Sequence, residues 1–133
     1  MINKKLKIIF AGTPEFSVPT LNKLYQDGYK ISLVLTQPDR KSGRGMNLKP
    51  SPIKQRATEL GIPIFQPNKL KNQDVYQKLK LEKADIFIVA AYGLIIPSNI
   101  LNIFAKGSYN VHASLLPAWR GAAPIHRAIE SGD

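Results

Sequence analysis

Cysteine is absent from the 133 residues, which excludes a disulfide framework and a thiolate metal site. Only two histidines occur and the carboxylates are scattered, so no metal-ligand spacing is present and no metal is expected. No stretch approaches the ~20 consecutive apolar residues that a membrane-spanning helix needs. The N-terminus sets lysines ahead of an apolar run, as a secretory leader does. Lys7 interrupts that run, however, and no small-residue cleavage site follows. A charged lead into a buried strand is the better reading, and a cytoplasmic location is expected. A dinucleotide fingerprint is also missing. Gly12-Thr13-Pro14 lacks the second and third glycines of G-x-G-x-x-G, and Pro14 removes an amide donor. Acid is scarce: nine Asp and Glu stand against nineteen Lys and Arg, a net charge of +10.

What is present fits one globular domain with a real core: 44% hydrophobic and 21% charged residues in a chain of this length. The positive charge is unevenly spread. Residues 39–56 hold six basic side chains (Arg40, Lys41, Arg44, Lys49, Lys54, Arg56) against Asp39 alone, so half the net charge lies in about an eighth of the chain. Such focusing suits a polyanionic partner; a solvated loop kept soluble by charge is the plain alternative. Lys69, Lys71, Lys78, Lys80 and Lys83 read as ordinary helix surface.

Strand and helix signals alternate. Apolar runs at 7–11, 31–35, 64–65, 84–91 and 107–112 read as strands, and the fourth is apolar almost throughout, as a strand buried on both faces should be. Helical patterns fall at 15–26, closed by Gly28, and at 52–60, opened by Pro52 and stopped by Gly61. Others fall at 72–80, from Pro97 to about 104, and near 122–130. Residues 36–51 are rich in Gly, Pro and charge and read as a loop inserted within the domain. It is longer than the usual two to six residues of such a connection, which hints at function. The alternation predicts an α/β fold: a doubly wound, mainly parallel, Rossmann-like sheet with helices on both faces.

Chemistry concentrates where the last of these strands ends. Side chains alternate along a strand, so Asn110 and His112 share one side. In open α/β sheets ligands bind just beyond the C-terminal ends of strands. An amide and an imidazole there can meet charge developing on a carbonyl oxygen, and one preorganised donor contributes about 3–4 kcal/mol of barrier reduction. Protonated, His112 could also exchange protons with an attacking or leaving nitrogen. A lone histidine is more often structural. Ser114, Leu115, Leu116 and Pro117 have the composition of a rigid turn that aims the strand end. Tyr92-Gly93-Leu94-Ile95 follows the fourth strand, and Gly93 permits close backbone approach to a ligand; a strand-to-helix turn packed in the core is its plain reading.

These segments together resemble the folate-dependent formyltransferases. Phe10 to Phe16 is similar to that family's opening strand and turn. Gln37-Pro38-Asp39-Arg40, Gly43-Arg44-Gly45 and Pro50 to Lys54 resemble the basic loop of its tRNA-modifying branch. Ala91-Tyr92-Gly93-Leu94-Ile95-Ile96-Pro97 resembles its folate-pocket segment, and Asn110 to Pro117 with Trp119 to Ile125 its catalytic signature. The resemblance implies 10-formyltetrahydrofolate as formyl donor and the α-amine of methionine on initiator tRNA as acceptor. It implies Asn110 and His112 as catalytic groups, and a folate site lined by Tyr92, Gly93, Leu94, Ile95, Ser114, Leu115, Leu116 and Pro117. Arg40, Arg44 and Lys49 would grip tRNA phosphates. Trp119 and Arg120 read as capping and packing residues, with a role near the aminoacyl end as the alternative. Two positions depart from the family pattern: Ala118 replaces a basic residue and His126 replaces glutamine. In the family a later aspartate orients the histidine, and a C-terminal domain helps hold tRNA. Neither lies within these residues, so an incomplete catalytic domain is expected. Little transferase activity by itself and an exposed sheet edge inviting self-association go with that. Two other readings stay open: formyl transfer to a small amino-sugar or purine-precursor amine, and a non-catalytic RNA-binding α/β module.

Overall fold

The computed structural model describes residues 6–41, 43, 45, 47–111 and the backbone of 42 and 123–124. The main sheet contains β1 (Lys7–Gly12), β2 (Lys30–Leu35), β5 (Ile64–Phe65), β6 (Ile86–Ala90), β7 (Ser108–Asn110) and β8 (Ala123–Pro124). Its order is β5-β2-β1-β6-β7-β8. Every neighbouring pair is parallel except β7 and β8. The chain winds outward from β1 through β2 to β5, then crosses to β6 and continues the other way. The doubly wound fold is thus as expected, and its topological switch point lies between β1 and β6.

Strand periodicity explains the two layers. On one face Ile9, Ala11, Phe87 and Val89 pack with Val75 and Leu79 of α3 (Gln73–Leu81) and with Ile100 and Leu101 of α4 (Ser98–Leu101). On the other, Ile8, Phe10, Ile88 and Ala90 pack with Leu21 and Leu24 of α1 (Val18–Gln26) and with Ile53 and Ala57 of α2 (Pro52–Glu59). Successive residues of β1 and β6 feed opposite cores, which is why the runs read as continuously apolar. In β2 an irregularity skips Ser32: Ile8 pairs with Ile31 and Ile9 with Leu33. Ile31 and Leu33 thereby reach opposite layers although they are two residues apart.

Helix ends follow their signals. Ser51 caps α2, its hydroxyl accepting from Lys54 N–H at 3.0 Å, with Pro52 in the first turn. Asn72 caps α3 by accepting from Val75 N–H at 2.8 Å. Gly28 and Gly61, both at positive φ, close α1 and α2.

Four expectations change. The pattern at 15–26 divides into a 3-10 turn, Glu15–Ser17, and α1. The helix after Pro97 is only α4, four residues long. Ser108 Oγ donates to the Leu101 carbonyl at 2.8 Å, satisfying a terminal acceptor where the chain turns back toward β7. The 36–51 insertion is not wholly irregular: β3 (Arg40–Ser42) and β4 (Asn47–Lys49) form an antiparallel hairpin turning through Gly43 at positive φ. Charge and glycine hid it, because each strand has only three residues and little apolar pattern. Ala123–Pro124 pairs with β7 as a strand where a helix was expected, and the rest of 122–130 lies outside the described residues.

Candidate active site

The C-terminal ends of β1, β2, β5 and β6 deliver their loops to one edge of the sheet, and a hydrogen-bond lattice joins them. Thr13 Oγ1 donates to the Tyr92 carbonyl at 2.8 Å, and Gln37 Nε2 donates to the same oxygen at 2.9 Å. Ser17 Oγ donates to the Ala90 carbonyl at 2.6 Å. Gln66 Nε2 bonds the Gln37 carbonyl at 3.2 Å and Asp39 at 2.7 Å. The turn leaving β6 is sharply bent: Ala91 has φ +57° and Gly93 φ +91°. A left-handed alanine is uncommon and strained, and such strain collects at functional sites. The positive φ at position 93 favours glycine, and a Cβ there would displace the end of the Gln37 side chain.

This turn opens one side of an apolar groove of about 640 Å³. Gly93, Leu94, Ile95 and Pro97 form one wall, and Lys69, Leu70 and Lys71 the other. Ile95 is 87% exposed and adds its aliphatic side chain to the groove wall. Three of the four residues singled out after β6 therefore do line a cavity. Tyr92 does not. Its side chain is 1% exposed within the core, where burial pushes its phenol well above the ordinary value. Tyr92 offers the surface only its carbonyl, already taken by Thr13 and Gln37. Lys69 and Lys71 are not on a helix surface as expected; they precede α3, on a loop, and line the groove. Nothing in their local sequence distinguishes them from solvated lysines.

Asn110 is half-buried at the end of β7. It stands opposite Val89 of β6, and its neighbours Tyr109 and Val111 pack into the α1/α2 core. Alternation therefore places Asn110 on the other face, with α3, α4 and the groove turn. His112, Ser114, Leu115, Leu116 and Pro117 lie outside the described residues, as do Trp119, Arg120 and His126.

The basic insertion is sorted by the fold. Lys54 Nζ pairs with Asp39 at 3.0 Å, and Arg56 pairs with Glu59 at 2.9 Å while donating to Asn22 at 2.7 Å. These two cations brace α2. Arg40, Lys41 and Lys49 are exposed on the hairpin, and Arg40 stands directly across from Lys49. Like charges in that relation are destabilising, so the pair has no folding rationale. Arg40 also donates to Gln37 Oε1. Arg44 lies outside the described residues. The Asp39 carboxyl is held below its ordinary value by the Gln66 hydrogen bond and by Lys54, against a smaller opposing effect of burial.

The formyl transferase family profile matches residues 4–133. Among curated proteins, the methionyl-tRNA formyltransferase of Methylobacillus flagellatus is 58% identical over 128 residues, covering 96% of this chain and 42% of that protein. That of Chromobacterium violaceum is 57% identical over 129 residues with the same coverage. The chain thus spans less than half the length of these relatives. Glycinamide ribonucleotide transformylase 1 from Geobacillus kaustophilus shares the fold, with a TM-score of 0.57 at 21% identity over 98% of this chain and 70% of that one. Phosphoribosylglycinamide formyltransferase from Streptococcus pneumoniae does so at 0.57 and 18% over 97% and 68%. With a parallel sheet wound about a β1/β6 switch point, Asn110 at the end of β7 and a family match over nearly its whole length, the chain belongs to the formyl transferase family.

Proposed function

We propose that this chain supplies the formyl-transfer site of an enzyme that moves a formyl group from 10-formyltetrahydrofolate to the α-amine of methionyl initiator tRNA. The observation that carries this reading is the juxtaposition at the sheet edge. A neutral amide ends β7 on the same face as an apolar groove whose turn is glycine-shaped for close approach. The groove fits a reduced folate in chemistry: aliphatic walls suit a flat ring system, and Lys69 and Lys71 suit its carboxylates. The folate, when bound, supplies the formyl carbon.

Attack by an amine nitrogen moves negative charge onto the formyl oxygen. Asn110 donates a hydrogen bond to that oxygen, and its neutrality lets it do so at any working pH. The attacking amine must also lose a proton, and the departing nitrogen must gain one. His112 is the group of the sequence motif whose imidazole can both accept and give up a proton. The names of the relatives support the methionyl-tRNA acceptor. So do the exposed Arg40, Lys41 and Lys49, whose like-charged pairing makes sense against a polyanion. Ser114 to Pro117 would complete the folate site, and Arg44 would add a phosphate contact. Transfer to a small amine would leave the hairpin charges idle.

The reading is tested in a chimera of full relative length, with this chain replacing the matching segment of the Methylobacillus protein. Asn110→Ala should lower kcat for formyl transfer about 10²- to 10³-fold with little change in folate affinity. Unchanged kcat would remove Asn110 from the reaction. Arg44→Ala should weaken tRNA use and spare folate binding; equal tRNA kinetics would contradict that contact.

A further inference from the structure

Gln37 makes more contacts than a loop residue needs for its own fold. Its N–H approaches Thr13 Oγ1 at 3.4 Å, and its carbonyl accepts from Gln66. The two ends of its side-chain amide grip different structures. Nε2 donates to the Tyr92 carbonyl at 2.9 Å, in the turn that leads straight into the groove wall. Oε1 accepts from Arg40, the first residue of β3. Among the described residues, no other hydrogen bond runs from the hairpin toward the groove turn. Gly93 is shaped to this arrangement, since a Cβ there would displace the Gln37 amide. The strained Ala91 makes the turn responsive, because a left-handed alanine persists only while its surroundings hold it.

We propose that Gln37 is a positioning residue that couples the basic β3–β4 hairpin to the groove turn 91–97, so that filling the groove orders the hairpin and engaging the hairpin steadies the groove. This rests on the reading of the groove as the folate site and of the hairpin as the RNA contact. The chemistry requires an amide. Glutamate at this position would keep the acceptor for Arg40 and lose the donor for Tyr92. A hydrocarbon would lose both. Linkage of this kind is reciprocal, so a change at either end must be felt at the other. One hydrogen bond carries it, which sets its size at about two- to tenfold in an equilibrium.

Backbone hydrogen exchange of the full chain tests the coupling without any ligand. Arg40→Ala should speed exchange in the groove turn by about two- to tenfold, and Gly93→Ala should do the same in β3 and β4. In a Gln37→Met background both cross-effects should vanish. Gln37→Glu keeps the acceptor for Arg40 but not the donor to Tyr92, so in that background too Arg40→Ala should no longer speed exchange in the groove turn. If each substitution alters only its own loop, the coupling is wrong. A second arm adds 5-formyltetrahydrofolate as probe. Saturable binding should slow hairpin exchange in the parent chain and not in Gln37→Met. Saturable binding with hairpin exchange unchanged in the parent overturns the coupling. Absence of saturable binding instead counts against the folate reading of the groove, while the ligand-free exchange still decides the coupling.

Discussion

Asp39 shows how a single residue serves both the fold and the site. It anchors the base of the hairpin by accepting from Gln66 and Lys54, and those partners hold its carboxyl below the ordinary value of 3.8. The group is therefore bound to fewer protons when folded than when unfolded. Its contribution is fully present above pH 3.8 and is lost as pH falls through the depressed value. Thermal melts between pH 6 and pH 2.5 should show Asp39→Asn less stable than the parent at the upper end, with the two converging at the lower end. A constant gap across that range would mean the carboxylate is not the stabilising species. At the same scale the sequence singles out Asn110 at a strand end and Gly93, Leu94 and Ile95 beside a cavity, but not the residues they stand against. That Tyr92 turns inward follows from the reversed backbone at Ala91, which no periodicity announces. Gln37 was visible only as part of a motif, because its role lies in contacts with residues up to 55 positions away.

Among the elements, β1 and β6 are the pair on which the site depends. Gly12 ends β1 opposite Ala90, and a Cβ there would stand 2.9 Å from the Ala90 carbonyl and 3.0 Å from the Phe10 ring. Backbone cannot yield as a side chain does. Gly12→Ala should thus push β6 away and cost about 1–3 kcal/mol, the usual range for overpacking. Denaturant titration checks this, and a loss below ~0.5 kcal/mol would show that the strand ends have slack. Elements with strong local signals were legible: β1, β2 and β6 by apolar runs, α2 by Pro52 and Gly61, α3 by its amphipathic pattern. The hairpin was not, because its six residues carry no apolar alternation and its support comes from Arg40–Gln37 and Asp39–Lys54. The brevity of α4 was hidden too, since the carbonyl of its last residue, Leu101, is satisfied by Ser108, well outside the helix.

For the molecule as a whole, charge and groove lie at the same edge of the sheet, and the two halves of the proposed reaction make different demands on solution conditions. Phosphate binding releases counterions, so tRNA affinity should fall steeply with salt, and Lys41→Ala plus Lys49→Ala should flatten the log–log slope by about 1 to 2 units. Folate affinity should respond far less. Equal salt slopes in parent and variant would remove the hairpin from the RNA interface. Among the described residues, the sheet's edge strands β5 and β8 are two residues each and offer little ladder for another chain; self-association is a separate proposal that concentration-dependent sedimentation would decide.

If ligand chemistry belongs at the β1/β6 edge, an NMR titration of the chain with 5-formyltetrahydrofolate will read it there. Saturable shifts are expected at Gly93, Leu94, Ile95 and the Asn110 side-chain amide. Shifts confined to the cavity of about 540 Å³ beside Tyr25, Tyr29 and Leu60, or no saturable shifts at all, would contradict it.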